Sequence, residues 1–298
     1  MKNIIYLLVF LVSTTQVSAQ EEVDSTGLPG DQFSLEAVLD VFEKAESPEA
    51  FEKLINEQDK HVNNLDLNGD GEVDYVKVIS KQDGDLHIFI LQVPVSDSEN
   101  QDIAVIELEK TGKDKAILQI VGDEDIYGEE VIVEPSEGED DIKSEGVKKG
   151  PLHTYTNRPA VIVNVWVWPC VRFVYAPGYK PWVSPWRWRF YPSSWRPWRP
   201  LGWAIWHPIR FHHYHPRIRV VHTHRVVNAH KIYKPVRVTS TTVRTRHATA
   251  HANYKVTKTK TRVTGQRGNS AIKKTTTVKG PKGHVKAQKT TVKRGRRG

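Results

Sequence analysis

The chain has 298 residues and a formal net charge of +8. Residues 1–150, the acidic half, contain all 35 acidic residues, 12 lysines and no arginine, which gives a charge of −23. Residues 151–298, the basic half, contain no Asp or Glu and the other 31 basic residues, which gives +31. This segregation argues against one large, uniform enzyme domain and predicts an acidic region joined to a region that meets anions.

Residues 1–19 have the pattern of a secretory signal peptide. Lys2 precedes an apolar run at 4–12 that is too short to span a bilayer, and Ala19 ends a small-residue cleavage site. The alternative is a buried N-terminal strand or helix. We therefore expect an exported protein that is periplasmic, on the cell surface or extracellular. Cys170 is the only cysteine, which excludes an intramolecular disulfide.

Residues 31–134 predict a small acidic α+β domain in which two helices precede an antiparallel meander. Apolar residues recur with the helical period after Ser34, and Ser47-Pro48 is a cap followed by proline at the first helical position. After His61 the period changes to two. The predicted strands are residues 75–80, 86–93, 103–108, 116–121 and 131–133.

A Gly/Asn/Asp-rich loop at 66–74 is the sharpest motif of the acidic half. It resembles an EF-hand loop, or the D-x-N-x-D-G-x-x-D calcium loops of extracellular β-propeller-type repeats. Lys77 stands where an EF-hand has its bidentate glutamate, which favours the second resemblance. We expect a weak, structural Ca²⁺ site; the alternative is a turn without metal. The resemblance implies five ligands: Asp66, Asn68, Asp70, Glu72 (through its carbonyl) and Asp74.

Residues 135–150 predict an acidic flexible linker, and residues 151–233 form a cationic region rich in Trp, Arg, His and Pro. In this region residues 160–168 predict a strand, and residues 171–175 predict its hairpin partner. The fold expected overall is therefore a small α+β domain, a Trp/Arg-rich β-hairpin region and a largely disordered basic tail.

Tryptophan and arginine alternate between prolines at residues 181–200, which favours extended or turn structure. Arginine forms bidentate contacts with phosphate and carboxylate, and indoles prefer interfaces. The stretch resembles the Trp/Arg/Pro-rich class of cationic membrane-active peptides; the alternative is an aromatic segment packed on its own hairpin. The predicted anion-binding residues are Arg187, Arg189, Arg196, Arg199, Trp186, Trp188, Trp195 and Trp198.

Seven histidines lie between His207 and His230. The pairs His213/His215 and His222/His224 have a spacing that can hold Zn²⁺, Cu²⁺ or Ni²⁺ on a strand face. Because the basic half has no carboxylate and many arginines, a pH-dependent gain of positive charge is the favoured interpretation of these histidines.

The tail at 234–298 is rich in Thr, Lys, Arg and Val. Its alternating segments at 236–243 and 254–263 permit strands if a partner is available, but alone the tail is expected to be disordered. Its charge density predicts salt-sensitive, largely non-specific polyanion binding.

No catalytic motif can be assembled from these residues, so the chain is expected not to be an enzyme and to have no small-molecule substrate. As a whole it resembles uncharacterised exported bacterial proteins with an acidic head and a Trp/Arg-rich tail. The expected partner is an anionic polymer (lipopolysaccharide, acidic polysaccharide or extracellular DNA) or an anionic membrane surface. The alternatives are an acidic propiece that masks a membrane-active segment, a nucleic-acid binder with stacking Trp residues, and self-association of the two halves.

Overall fold

The computed structural model describes residues 25–136, 162–213, 218–264, 270–279 and 285–294, with side chains at 25–136, 162–210 and 218–254. The predicted signal peptide and nearly all of the predicted linker lie outside these residues. In the described part of the chain, no helix has both the length and the apolar character needed to cross a membrane.

Two capped helices open the fold, as predicted. They are α1 (Leu35–Lys44) and α2 (Pro48–Ile55). Ser34 and Ser47 are the caps, and the hydroxyl of each accepts a hydrogen bond from the backbone N–H three residues on. Such a bond satisfies a helix N–H that has no partner within the helix.

A six-stranded antiparallel sheet follows, in which each strand pairs with the next along the chain. Its first five strands confirm the predicted meander, and the short helix α3 (Glu124–Tyr127) lies between the fourth and the fifth. The strands are β1 (Lys77–Asp83), β2 (Leu86–Pro94), β3 (Asn100–Gly112), β4 (Lys115–Gly122), β5 (Val131–Pro135) and β6 (Ile218–Val221).

The basic half supplies both borders of this sheet. On one side β6 pairs with β5 over four residue pairs. On the other side residues 182–184 lie along β1, where Ser80 N donates to Trp182 O at 2.7 Å and Ser184 N donates to Val78 O at 3.0 Å. Proline on either side of this short contact limits its length, because proline has no N–H to donate. The open edges of the acidic meander are therefore covered by the oppositely charged half.

The two faces of the sheet are buried against different parts of the chain. Helices α1 and α2 cover one face together with α4 (Pro169–Val174) from the basic half. The other face is covered by α6 (Val227–Tyr233), also from the basic half. Its apolar core consists of Ile88, Ile90, Val105, Val121, Ile132, Val226, Ala229 and Tyr233.

Helix α4 stands where the sequence predicted the second strand of a hairpin. Pro169 occupies its first turn, a position that proline favours because no N–H is needed there. Val171 and Val174 are buried on one side of the helix, next to Cys170. Residues 162–165 belong to no helix or strand, and the expected partner strand is helical, so the prediction of a Trp/Arg-rich hairpin here is wrong.

The remaining α-helices of the described residues are α5 (Trp203–His213), α7 (Thr241–Arg246) and α8 (Ala248–Asn253). Ser240 caps α7 by accepting a hydrogen bond from Val243 N at 3.2 Å, so residues 236–243 form no strand. In the tail, β7 (Lys255–Thr264), β8 (Ser270–Lys279) and β9 (Val285–Arg294) pair with one another in a separate antiparallel sheet. The first of them lies where alternation permits a strand, and its partners come from the tail itself.

Candidate anion-binding surface and calcium-type loop

Buried carboxylates of the acidic half are paired with groups of the basic half. Glu134 accepts hydrogen bonds from Arg225 Nε at 2.6 Å and from Arg219 Nη2 at 3.1 Å, and the side chains of Glu134 and Arg219 are only 4% and 5% exposed. Asp123 accepts a hydrogen bond from Arg237 Nη2 at 2.8 Å. Burial raises the pKa of Asp123 to about 6, and Arg237 opposes that rise. Similar contacts join Asp102 to Tyr233, Asp125 to Arg244 and Glu99 to Ser240.

Glu52 of α2 joins the Trp/Arg-rich stretch to the acidic half. Its carboxylate accepts hydrogen bonds from Trp182 Nε1 at 3.0 Å and Ser184 Oγ at 2.8 Å. It also accepts bonds from Tyr75 Oη and Val78 N, each at 2.9 Å. Burial raises the pKa of Glu52, and these four donors act against that rise. The carboxylate thus joins residues 182–184 of the basic half to Tyr75 and Val78 of the acidic half through one buried acceptor.

We call residues 182–199 the Trp/Arg strip. Aromatic contacts fix its C-terminal part on the acidic half: the Trp195 ring lies 5.2 Å from Tyr75 and 4.9 Å from Tyr191. Trp198 accepts a hydrogen bond through its carbonyl from Val73 N at 2.8 Å. The predicted tryptophans of the strip are half-buried and serve partly as anchors.

The four predicted arginines of the strip are exposed. The Arg187 guanidinium lies 4.3 Å from the centre of the Phe190 ring, and Arg189 lies 5.7 Å from the centre of the Trp188 ring. Arg189 also has a φ of 60°, in a tight turn closed by hydrogen bonds between Arg187 and Phe190. Among the described residues, no carboxylate forms an ion pair with these four arginines, in contrast to the arginines that face Glu134 and Asp123.

The loop at 66–74 lies beside the strip and is closed by its own backbone donors. The Asp66 carboxylate accepts hydrogen bonds from Gly69 N at 2.6 Å and Gly71 N at 3.0 Å. Asp74, which is 5% exposed, accepts one from Asn68 Nδ2 at 2.9 Å. Gly69 and Gly71 have φ of 74° and 86°, which the turn requires.

A cation from the basic half contacts this loop: Arg246 of α7 donates to the carbonyl of Asn68. The pKa of Asp74 is raised to about 8 by burial and by the charges of Asp66 and Asp70. The five predicted calcium ligands therefore share one loop whose carboxylates repel one another. Whether Ca²⁺ joins them stays a prediction.

The histidines of the two predicted pairs lie in different environments. His215 and the side chain of His213 lie outside the described residues, whereas His222 is exposed and His224 is half-buried near Glu130. Cys170 is fully buried, and burial raises the pKa of its thiol to about 12, so the thiol stays protonated at neutral pH.

Sequence reasoning missed Glu52, Glu107 and Glu134 as partners of the basic half. One signal for them was present: residues 88–91 of β2 read Ile-Phe-Ile-Leu, a continuous apolar run typical of a strand that is buried on both faces. This run therefore predicts that other parts of the chain cover both faces of the sheet. Comparisons with protein-family models, with curated proteins and with solved structures gave no significant match.

Proposed function

We propose that this chain is an exported, non-catalytic binding protein that attaches to an anionic surface polymer through the Trp/Arg strip. The observation that carries the proposal is a contrast between two sets of arginines. Arg219, Arg225 and Arg237 contact carboxylates of the acidic half, whereas the four arginines of the strip are exposed and unpaired with any described carboxylate. The exposed guanidinium groups of the strip are available to phosphate, sulfate or carboxylate groups of a polymer.

The half-buried indoles support this assignment. They fix the strip against the acidic half, so that little side-chain freedom is lost when a polymer binds. Lipopolysaccharide, acidic polysaccharide and extracellular DNA all carry the required charge. Release of the basic half as a free membrane-active segment is less favoured, because it would break the β5–β6 pairing and the contacts of Glu52 and Glu134.

Replacing Arg187, Arg189, Arg196 and Arg199 by glutamine is expected to weaken polymer binding at least tenfold at low salt. Each lost contact with a duplex phosphate lowers the slope of log K against log salt by about 0.9, so the slope on DNA should fall by roughly 3–4. Binding of the full-length variant to heparin, lipopolysaccharide and DNA, titrated at several salt concentrations, checks this.

The matched control replaces four exposed lysines elsewhere, Lys53, Lys113, Lys115 and Lys231, by glutamine and so removes the same charge. This control should keep most of the affinity. Equal losses in both variants, or no loss in the arginine variant, would contradict a localised strip and assign binding to overall charge or to the tail.

We also propose that the loop at 66–74 holds a structural Ca²⁺. Support comes from the mutual repulsion of Asp66, Asp70 and Asp74, which a cation would relieve. With a Kd of about 10⁻⁴–10⁻³ M, as in extracellular modules, ~10 mM Ca²⁺ should stabilise the fold by about 1.4–2.7 kcal/mol.

Chemical unfolding with Ca²⁺ and with chelator measures this gain. Asp70→Ala should abolish it, because alanine offers no oxygen ligand, whereas Asp97→Ala, at an exposed acidic residue outside the loop, should keep it. If the wild-type chain gains nothing, the loop is a turn closed by its own donors and by Arg246.

A further inference from the structure

Three side chains from distant parts of the chain meet on the sheet face that α6 covers. Glu107 lies on β3 and is fully buried, His230 lies on α6, and His224 lies in the segment that leads into α6. His230 Nδ1 is 2.8 Å from Glu107 Oε1, and the rings of His224 and His230 have their centres 4.0 Å apart. Each residue offers one ligand atom, and the three atoms lie within 4.8 Å of one another. Within the described residues, this is the single group of three such side chains with that geometry.

Two atoms of this cluster are buried and have no hydrogen-bond partner in the described residues: Glu107 Oε2 and His224 Nδ1. An unsatisfied buried carboxylate oxygen is costly, and most such atoms in folded proteins have a partner. Both atoms are acceptors or ligands when deprotonated, and neither can satisfy the other without a proton or a cation between them. A cation bound in this cluster is a partner that either atom can accept.

A second carboxylate borders the cluster on the side open to solvent. Glu130 is 40% exposed, and its two oxygens lie 3.5 Å from His224 Nε2 and 4.0 Å from His230 Nε2. The charge of Lys234 disfavours the protonated forms of both histidines, although the hydrogen bond to Glu107 leaves the pKa of His230 raised. Two carboxylates and two imidazoles therefore face one lysine, and the balance of charge favours a dication.

We propose that Glu107, His224 and His230 form a binding site for a divalent transition-metal ion, with Zn²⁺ as the expected occupant. Two imidazoles and a carboxylate suit zinc rather than Ca²⁺ or Mg²⁺, which prefer all-oxygen shells. Glu130 is near enough to orient the histidines or to complete the shell.

The carboxylate that the basic half lacks is supplied by the acidic half, across 123 residues of sequence. Of the two histidine pairs predicted to hold a metal, only His224 takes part. The ion would clamp α6 of the basic half to β3 of the acidic half, independently of any polymer on the Trp/Arg strip. Because the pKa of His230 is raised by its bond to Glu107, metal binding competes there with protonation of the imidazole.

Titration of ZnCl₂ into chelator-treated full-length protein, followed by calorimetry, tests the site. We expect one tight equivalent per chain, and at least tenfold weaker binding in each of Glu107→Gln, His224→Gln and His230→Gln. His222→Gln is the matched control, because His222 is exposed and lies two residues from His224; its affinity should equal that of wild type. Far-UV circular dichroism verifies that each variant is folded.

Substitution of Co²⁺ gives a second readout, which does not depend on the stability of the variants. A four-coordinate site of histidine and carboxylate should give the intense visible bands of tetrahedral Co²⁺ in the wild type and in His222→Gln. Absence of a saturable tight site in the wild type would overturn the proposal. So would wild-type affinity in His224→Gln and His230→Gln, since the exposed histidines would then hold the metal.

Discussion

Replacing Trp206 with alanine is expected to lower the free energy of unfolding by about 3–5 kcal/mol, the usual range for removal of a buried aromatic side chain. Trp206 lies on α5 in the basic half and is 2% exposed. Its indole N–H donates a hydrogen bond to the carbonyl of Asp31, in the acidic half, at 3.1 Å. The substitution would leave a cavity between the two halves and remove that donor. Equilibrium denaturation of the full-length chain measures the loss.

Trp188→Ala is the matched control, since Trp188 belongs to the same Trp-rich region but is half-buried near the tip of a turn. Its loss should stay below about 1 kcal/mol, as for most surface substitutions. Equal, small losses at both positions would mean that Trp206 does not belong to the core in solution.

Replacing Glu134 with alanine should cost about 3–5 kcal/mol, because it removes the carboxylate from a buried ion pair and leaves the buried guanidinium behind. Glu134 contacts both Arg219 and Arg225, and its Oε1 also accepts a hydrogen bond from Gln119 at 2.6 Å. All of these groups lie where β6 joins the acidic meander. Denaturation at low and high salt measures the effect, which should change little with salt because the pair is buried.

Glu57→Ala provides the comparison with a surface pair. Glu57 lies 3.7 Å from Lys60, and both side chains are about one-third exposed. Its removal should cost about 0–1 kcal/mol. A loss at Glu134 as small as that at Glu57 would contradict a buried interface between the halves.

Features coded by neighbouring residues could be predicted from the sequence. The serine caps of α1 and α2, the change of period after His61 and the strands of the meander all depend on residues within a few positions of one another. Pro169, between the two strands predicted at 160–168 and 171–175, does not distinguish a hairpin from a helix, because proline suits both a turn and the first turn of a helix. Burial of Val171 and Val174 on one side of α4 favours the helix. That burial depends on contacts with residues distant in the sequence.

Contacts between the halves could not be predicted in the same way. The segregated charges indicate that the acidic half has carboxylates to satisfy, but they do not assign Arg219 to Glu134 or Arg237 to Asp123. Those pairings depend on β6 adding to β5 across more than 80 residues of sequence. The candidate metal site could not be predicted either, because nothing in the sequence places Glu107 next to a histidine.

The oppositely charged halves are expected to fold as one unit and to leave the Trp/Arg strip as the surface for anions. All nine Trp residues lie in the basic half, so tryptophan fluorescence reports on that half alone. Pulsed amide hydrogen exchange of β2, β3 and β4 reports on the sheet, five of whose six strands come from the acidic half. Denaturation of the unmodified chain followed by both signals is the most direct test. One cooperative transition with coincident midpoints is predicted; loss of the tryptophan signal at lower denaturant, with the sheet intact, would contradict the claim.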